Sequence, residues 1–169
     1  MVERNANRGI TAWMALVEAH AAAVESVEAD LVRDTGLPLS WHEVLVRLSA
    51  AEEESMRMHE LARAVLLSKS GLTRLADRME AAGLIDRTAC DSDRRGTWAV
   101  ITPKGREALA NATPPFLAAV DRHFAGHLSD GEIDAVAASL RKVTHAHGAE
   151  SCSPEDVTGL ARAPQPQPA

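Results

Sequence analysis

The sequence has few aromatic residues and no long apolar run. Phe and Trp make up 3% of the 169 residues, and tyrosine is absent. Because Ala and Leu favour helices whereas β-branched and aromatic residues favour strands, this Ala- and Leu-rich chain is predicted to be mainly α. No apolar run approaches the roughly 20 residues that cross a bilayer, and no basic, apolar leader precedes the chain. A cytoplasmic protein is therefore predicted.

Cysteine is also scarce. Cys90 and Cys152 are too few for a disulfide framework or a four-cysteine zinc site. His123 and His127 are four residues apart, but no further ligand pattern completes a metal site. No cofactor is predicted, and a lone thiol is more often inert. A redox- or metal-sensing regulator stays open as an alternative, with Cys90 beside basic residues as its redox centre.

Charge is unevenly distributed along the chain. The net charge is −6, yet ten basic residues outnumber six acidic residues between Arg57 and Arg106. The remaining segments together carry −10. A basic middle between acidic ends is typical of a surface that meets nucleic acid, although such local excesses also occur on ordinary surfaces.

Apolar residues recur at helical spacing over most of the chain. The first helix is predicted from about Thr11 to Asp34, where Gly36 and Pro38 end it. Pro114-Pro115 predicts a sharp kink or break, because a proline inside a helix costs ~3 kcal/mol or more. Further helices are predicted from Ser40 to the run at Glu52, over 59–66, from Ser68 to 82, from Pro103 to Pro114, over 116–126 and from a capping box at Ser129.

Two segments instead have the composition of strands. Residues 85–89 and 97–102 flank the polar stretch 90–96, which predicts a hairpin with a charged tip. Residues 56–58 are predicted to be a short extended connector. A helix, a short helix, a capped helix and a two-stranded hairpin follow one another, and this order predicts a winged helix-turn-helix.

The capped helix has two chemically different faces. Its apolar face is predicted to pack on the preceding helices, and its other face is short, polar and basic. Arg74 is the first candidate for reading guanine, Arg78 is the second, and Asp77 is predicted to orient either arginine. Phosphate contacts are assigned to Ser68, Lys69, Ser70 and Thr73. At the hairpin tip, minor-groove contacts are assigned to Arg94 and Arg95, and Asp93 is predicted to orient Arg95. The alternative is an amphipathic surface helix beside a solvated turn.

These segments resemble the MarR family. The resemblance rests on Glu60-Leu61-Ala62-Arg63, on the stretch from Ser68 to Ile85, on Asp93-Arg94-Arg95 and on Thr102-Pro103-Lys104-Gly105. One departure is the turn at 65–67, Val-Leu-Leu, where the family usually has a glycine. The resemblance implies a homodimeric repressor that binds a pseudo-palindromic DNA operator and is released by a small aromatic effector.

The resemblance also implies a division of the chain. Residues 1–36 would form a dimerisation helix, 37–105 the DNA-binding domain and 106–148 further dimerisation helices. The Pro-, Gln- and Ala-rich composition of residues 149–169 predicts a disordered tail. An effector pocket is predicted from Trp13, Val17, His20, Trp41 and His42, although a Trp on an apolar helix face is more often in a core or dimer interface. No P-loop or nucleophile elbow is present, so no enzyme is predicted. A winged-helix protein-interaction module remains the competing function.

Overall fold

The computed structural model describes residues 2–89, 97–147 and 157. The hairpin tip (Asp93, Arg94 and Arg95) and both cysteines lie outside these residues, as does most of the segment after residue 147. The elements in chain order are α1 (Val2–Thr35), α2 (Leu39–Ala50), β1 (Ser55–Arg57), α3 (Met58–Ala64), α4 (Lys69–Ala81), β2 (Ile85–Ala89), β3 (Thr97–Ile101), α5 (Pro103–His123) and α6 (Asp130–Ala146). The predicted mainly helical winged fold is confirmed.

The sheet has three strands, not the two that the sequence predicts. Its order is β1–β3–β2, and both pairings are antiparallel, with Ser55 opposite Val100 and Ile85 opposite Ile101. The predicted connector at 56–58 therefore contributes an edge strand. Three half-buried residues are too few to show the alternation by which strands are recognised in a sequence, which explains the omission.

Most helix boundaries agree with the sequence pattern, but α1 begins at Val2, nine residues before the predicted start. It ends where Gly36 adopts a left-handed φ of 72°, as predicted from the glycine and proline that follow it. The core joins helices α1 to α5 and the sheet around fully buried residues such as Leu31, Leu45, Leu61 and Met79, whereas α6 contributes no buried residue.

The predicted break at Pro114-Pro115 is wrong, because α5 continues through both prolines to His123. Leu109, Ala112 and Ala119 lie on one face of α5 and are buried on both sides of the proline pair. The Thr113 hydroxyl donates to the Leu109 carbonyl at 2.8 Å. Burial of this face, mainly against α1, therefore outweighs the local cost of the two prolines.

An ion-pair cluster joins α1 to the end of α5. Asp30 is 9% exposed, and its carboxylate lies 2.5 Å from Arg33, 2.6 Å from Arg122 and 2.8 Å from His123. Hydrogen bonds from His123 and Arg33 lower the pKa of Asp30 to about 2. The carboxylate is therefore ionised at neutral pH and connects two helices that are far apart in sequence.

The turn between α3 and α4 is made without glycine. Leu66 takes a left-handed φ of 55° and is 83% exposed. Two residues later, Ser68 caps α4 by accepting a hydrogen bond from the Gly71 amide at 3.1 Å. The chain thus forms the tight corner that usually contains glycine, at the cost of a strained leucine.

Hydrogen bonds made by residues 102–105 connect the start of α5 to the end of α4. Thr102 donates its hydroxyl to the Gly83 carbonyl and caps α5 by accepting from the Gly105 amide. Lys104 donates from Nζ to the Ala82 carbonyl at 2.7 Å. This motif therefore orients α4 and the sheet relative to the long helix α5.

Candidate nucleic-acid interface and effector cavity

Helix α4 buries one face and exposes the other. Leu72, Leu75, Ala76 and Met79 are at most 3% exposed, as the sequence pattern predicts. The sequence-predicted contact residues all lie on the exposed side or at the exposed N-terminus of the helix: Ser68, Lys69, Ser70, Thr73, Arg74, Asp77 and Arg78. The structure therefore brings these seven residues together on one surface.

The arginines near this surface fall into two groups. Within the part of the chain that the structure describes, Arg74 and Arg78 form no ion pair, and both are exposed. Arg87 on β2 instead lies 2.7 Å from Asp77 and 2.5 Å from Glu80, which are both on α4. Unpaired guanidinium groups are thus on the outer face of α4, whereas the paired one is at its junction with the sheet.

Asp77 does not have the predicted partner. The sequence predicts that it orients Arg74 or Arg78, but its carboxylate pairs with Arg87. A residue on a strand several positions beyond the end of α4 cannot be recognised as a partner from helical spacing alone. The structure therefore corrects the predicted orienting contact.

A side-chain contact connects the edge strand β1 to its neighbour β3. Arg57 on β1 lies over the ring of Trp98 on β3, 5.1 Å from its centroid, and the two residues are opposite each other in the register. This cation–π contact stabilises the pairing of the edge strand with the hairpin. Contacts of Arg94 and Arg95 with the minor groove, and the orientation of Arg95 by Asp93, stay predictions, because the hairpin tip is outside the described residues.

The five predicted effector residues do not surround one cavity within a single chain. Trp13 is 66% exposed, and Val17 and His20 are also exposed along α1. Trp41 is half-buried against the core, and His42 is buried. Of the five, only His42 lines the cavity that lies between α2, α3 and α5.

That cavity has a volume of about 220 Å³ and is mainly apolar. The His42 ring lies 4.3 Å from the Phe116 ring, centroid to centroid, and its Nε2 atom has no hydrogen-bond partner among the residues that the structure describes. Burial lowers the pKa of His42 to about 4, so the imidazole is neutral at physiological pH. The cavity is lined by His42, Glu43, Val46, Arg47, Ala64, Val65, Leu66, Phe116 and Val157.

The cavity lining was largely missed from the sequence because it comes from separate elements. Glu43 and Arg47 share a face of α2, and desolvation raises the pKa of Glu43 while Arg47 opposes that rise. Phe116 directly follows the two prolines, so the wrongly predicted break there concealed its position. The chain has two phenylalanines, and this rarity was the feature of the sequence that could have drawn attention to Phe116.

No cluster of three potential metal ligands occurs among residues 2–89, 97–147 and 157. His123, one of the two histidines considered for zinc, pairs with Asp30 instead. None of the helices that the structure describes has the length and hydropathy needed to traverse a bilayer.

A short helix, a capped polar helix and an antiparallel hairpin define a winged helix-turn-helix protein. Residues 35–96 match the family model described as the MarR family. AbsC, a MarR family transcriptional regulator from Streptomyces coelicolor, is 34% identical, with a TM-score of 0.75. That comparison covers 83% of this chain and 94% of AbsC. The chain therefore belongs to the MarR family of transcriptional regulators.

Two further relatives are similar to this chain over different lengths. Sco3205, a MarR family regulator from Streptomyces coelicolor solved in complex with DNA, is 28% identical with a TM-score of 0.75. That comparison covers 80% of this chain and 85% of Sco3205. The transcriptional repressor MprA from Escherichia coli K12 is 38% identical over 71 residues. The matched part is 42% of this chain and spans only 40% of the length of MprA.

Proposed function

We propose that this chain is a sequence-specific DNA-binding repressor that inserts α4 into the major groove of its operator. The observation that carries the proposal is the outer face of α4, where Arg74 and Arg78 stand one turn apart and face solvent. The major groove, about 12 Å wide, admits an α-helix, and the arginine fork matches guanine O6 and N7. The DNA complex of Sco3205 supports this function for a similar fold.

The N-terminal part of α4 suits contacts with phosphate. Lys69 supplies a charge, and Ser68, Ser70 and Thr73 supply hydroxyl groups on the same exposed surface. Such contacts fix the orientation of a protein on the duplex without reading its sequence. In this proposal Arg74 and Arg78 therefore give specificity, whereas Lys69 gives mainly affinity.

A homodimer is proposed because apolar side chains on the flanking helices are uncovered in a single chain. Ile10, Trp13, Met14 and Val17 on α1 are 47–66% exposed, and they recur at helical spacing. On α6, Val143 is 54% exposed. A second copy would bury both surfaces, and dimers of this class place their recognition helices about 34–36 Å apart on pseudo-palindromic half-sites.

Release by a small aromatic effector is proposed at the cavity beside His42. The cavity reaches Val65 and Leu66, which form the turn before α4. Its volume of about 220 Å³ suits a ligand of one ring. A ligand that binds only one arrangement of this turn would shift the population of DNA-competent dimers.

The DNA proposal is tested by sequencing genomic fragments that the purified full chain retains, followed by affinity measurements on the enriched sequence. Arg74→Ala should lose ~1–3 kcal/mol of discrimination, whereas Lys69→Ala should weaken all sequences alike and reduce the salt slope by about one. Arg106→Ala on α5 removes the same charge outside α4 and outside the proposed dimer surfaces, and is the matched control.

Two results would overturn these assignments. If Arg74→Ala retains the parent's sequence preference, Arg74 does not read bases. If the parent protein retains no duplex even at low ionic strength, the function itself is refuted, because phosphate contacts strengthen as salt falls.

The cytoplasmic location of this protein stays a prediction from the sequence.

A further inference from the structure

We propose that Arg87 is a positioning residue, which fixes the wing against the recognition helix α4 and does not itself contact DNA. The inference rests on the proposed DNA-binding function and adds a residue that neither the sequence patterns nor the resemblance singled out. It also gives Asp77 a role other than the one predicted from the sequence.

The geometry joins one strand residue to two acids one turn apart. Glu80 accepts from Arg87 Nε at 2.9 Å, from Nη2 at 2.5 Å and from the backbone amide of Arg87 at 3.2 Å. Asp77 lies 2.7 Å from Nη1 of the same guanidinium. The α4 helix therefore holds both the side chain and the main chain of β2 at this residue.

The contacts of Arg87 with α4 affect the position of the whole wing, because Arg87 lies on β2 and β2 pairs with the rest of the sheet. It lies opposite Ala99 of β3, and β3 in turn pairs with β1. The covalent connection from α4 to β2 is only a short turn, in which Gly83 takes a left-handed φ of 74°. The Arg87 cluster thus adds a second connection between α4 and the strands that carry the hairpin tip.

Arg87 also differs from Arg74 and Arg78 in its electrostatic surroundings. Its side chain is only 26% exposed, compared with 53% for Asp77. Hydrogen bonds with Glu80, and then with Asp77, raise the pKa of Arg87, and Arg87 in turn lowers the pKa of Glu80. Two carboxylates therefore already neutralise the guanidinium, which leaves it a poor competitor for phosphate.

A double-mutant cycle on the full-length protein tests the proposal, using Arg87→Gln, Glu80→Gln and the double variant on the enriched DNA sequence. Each single variant should bind two- to fivefold more weakly, with an unchanged salt slope, because a partly exposed ion pair contributes only modestly. The double variant should bind no more weakly than either single variant. Cleavage protection by the wing at the operator flanks should fall in all three, while protection by α4 at the half-site centres persists.

If Arg87 instead contacts DNA, the variants should change the salt slope and the affinity differently. If Arg87 binds phosphate, Arg87→Gln lowers the salt slope by about one in both backgrounds. Glu80→Gln would then strengthen binding, because it removes a negative charge. Either result overturns the positioning role. Unchanged protection at the flanks would overturn it as well.

Two control variants distinguish a positioning role of Arg87 from the general effect of losing an ion pair or a charge. Arg106→Gln breaks an exposed ion pair with Glu54, also 2.5 Å long, and should leave both affinity and protection unchanged. Arg87→Lys keeps the charge but loses the fork, so it should reproduce the flank defect of Arg87→Gln, and parent-like protection would refute the proposal. Failure of the parent protein to bind duplex would instead refute the proposed function.

Discussion

The close contact at Gly105 gives the sharpest stability prediction. A Cβ atom at this position would lie 2.1 Å from the Leu84 carbonyl oxygen and 2.9 Å from Cγ1 of Ile101. The carbonyl belongs to the backbone and already accepts from the Thr102 amide at 3.1 Å. Since a carbon and an oxygen normally approach to about 3.3 Å at closest, Gly105→Ala must move α5 by about 1 Å.

The expected cost combines strain with lost hydrogen bonds. Overpacking typically costs about 1–3 kcal/mol, and a shift of α5 also weakens the bonds from Thr102 to Gly83 and from Lys104 to Ala82, at about 1 kcal/mol each. Alanine returns up to about 1 kcal/mol through its higher helix propensity. The net loss should be about 2–4 kcal/mol, which lowers the Tm of a chain of this size by roughly 4–16 °C.

Thermal unfolding followed by circular dichroism at one fixed protein concentration measures this effect, since the Tm of a dimer depends on concentration. Gly131→Ala on α6 is the matched control, because the same methyl group would meet no atom of the described residues within 4 Å. The control should melt at or slightly above the parent. A Gly105→Ala protein that also melts at or above the parent would show that the close packing of α5 on Leu84 is not formed.

Two further predictions concern the cavity and the turn beside it. Because burial lowers the pKa of His42 from 6.5 to about 4, the unfolded chain binds the proton more readily, so stability should fall as pH drops from about 6.5 to 4. Urea midpoints should show a weaker fall for His42→Phe, and equal falls would contradict the pKa shift. At the turn, Leu66→Gly relieves a left-handed φ that Leu66→Ala retains, so the glycine variant should be about 1 kcal/mol more stable than the alanine variant. Coincident urea curves for these two variants would show that Leu66 is not strained.

Local sequence signals predicted α4 and the hairpin well because each signal acts over one element. Ser68 caps α4, Gly83 follows its end, and the buried face between them repeats at helical spacing. The strands 85–89 and 97–101 likewise agree with their apolar pattern. Where caps, periodicity and packing favour the same structure, the sequence suffices.

The features that were missed depend on contacts between distant segments. The prolines at 114 and 115 favour a break locally, yet packing against α1 keeps α5 continuous. The pairing of Asp77 with Arg87 exists only because β2 folds back along α4. The cavity combines residues from α2, α3 and α5 with Val157, so no single periodic pattern contains it.

These long-range pairs also explain how an acidic chain can present a basic surface. The net charge is −6, but Asp30, Asp77 and Glu80 are directed toward Arg122 and Arg87 of the scaffold. At physiological ionic strength charges are screened beyond about 8 Å, so a phosphate at the outer face of α4 responds mainly to nearby side chains. The acidic ends would then oppose DNA only weakly at contact, and Asp30, Asp77 and Glu80 are already paired with arginines. The charges close to the outer face of α4, more than the net charge of the chain, would therefore determine how strongly α4 attracts a polyanion.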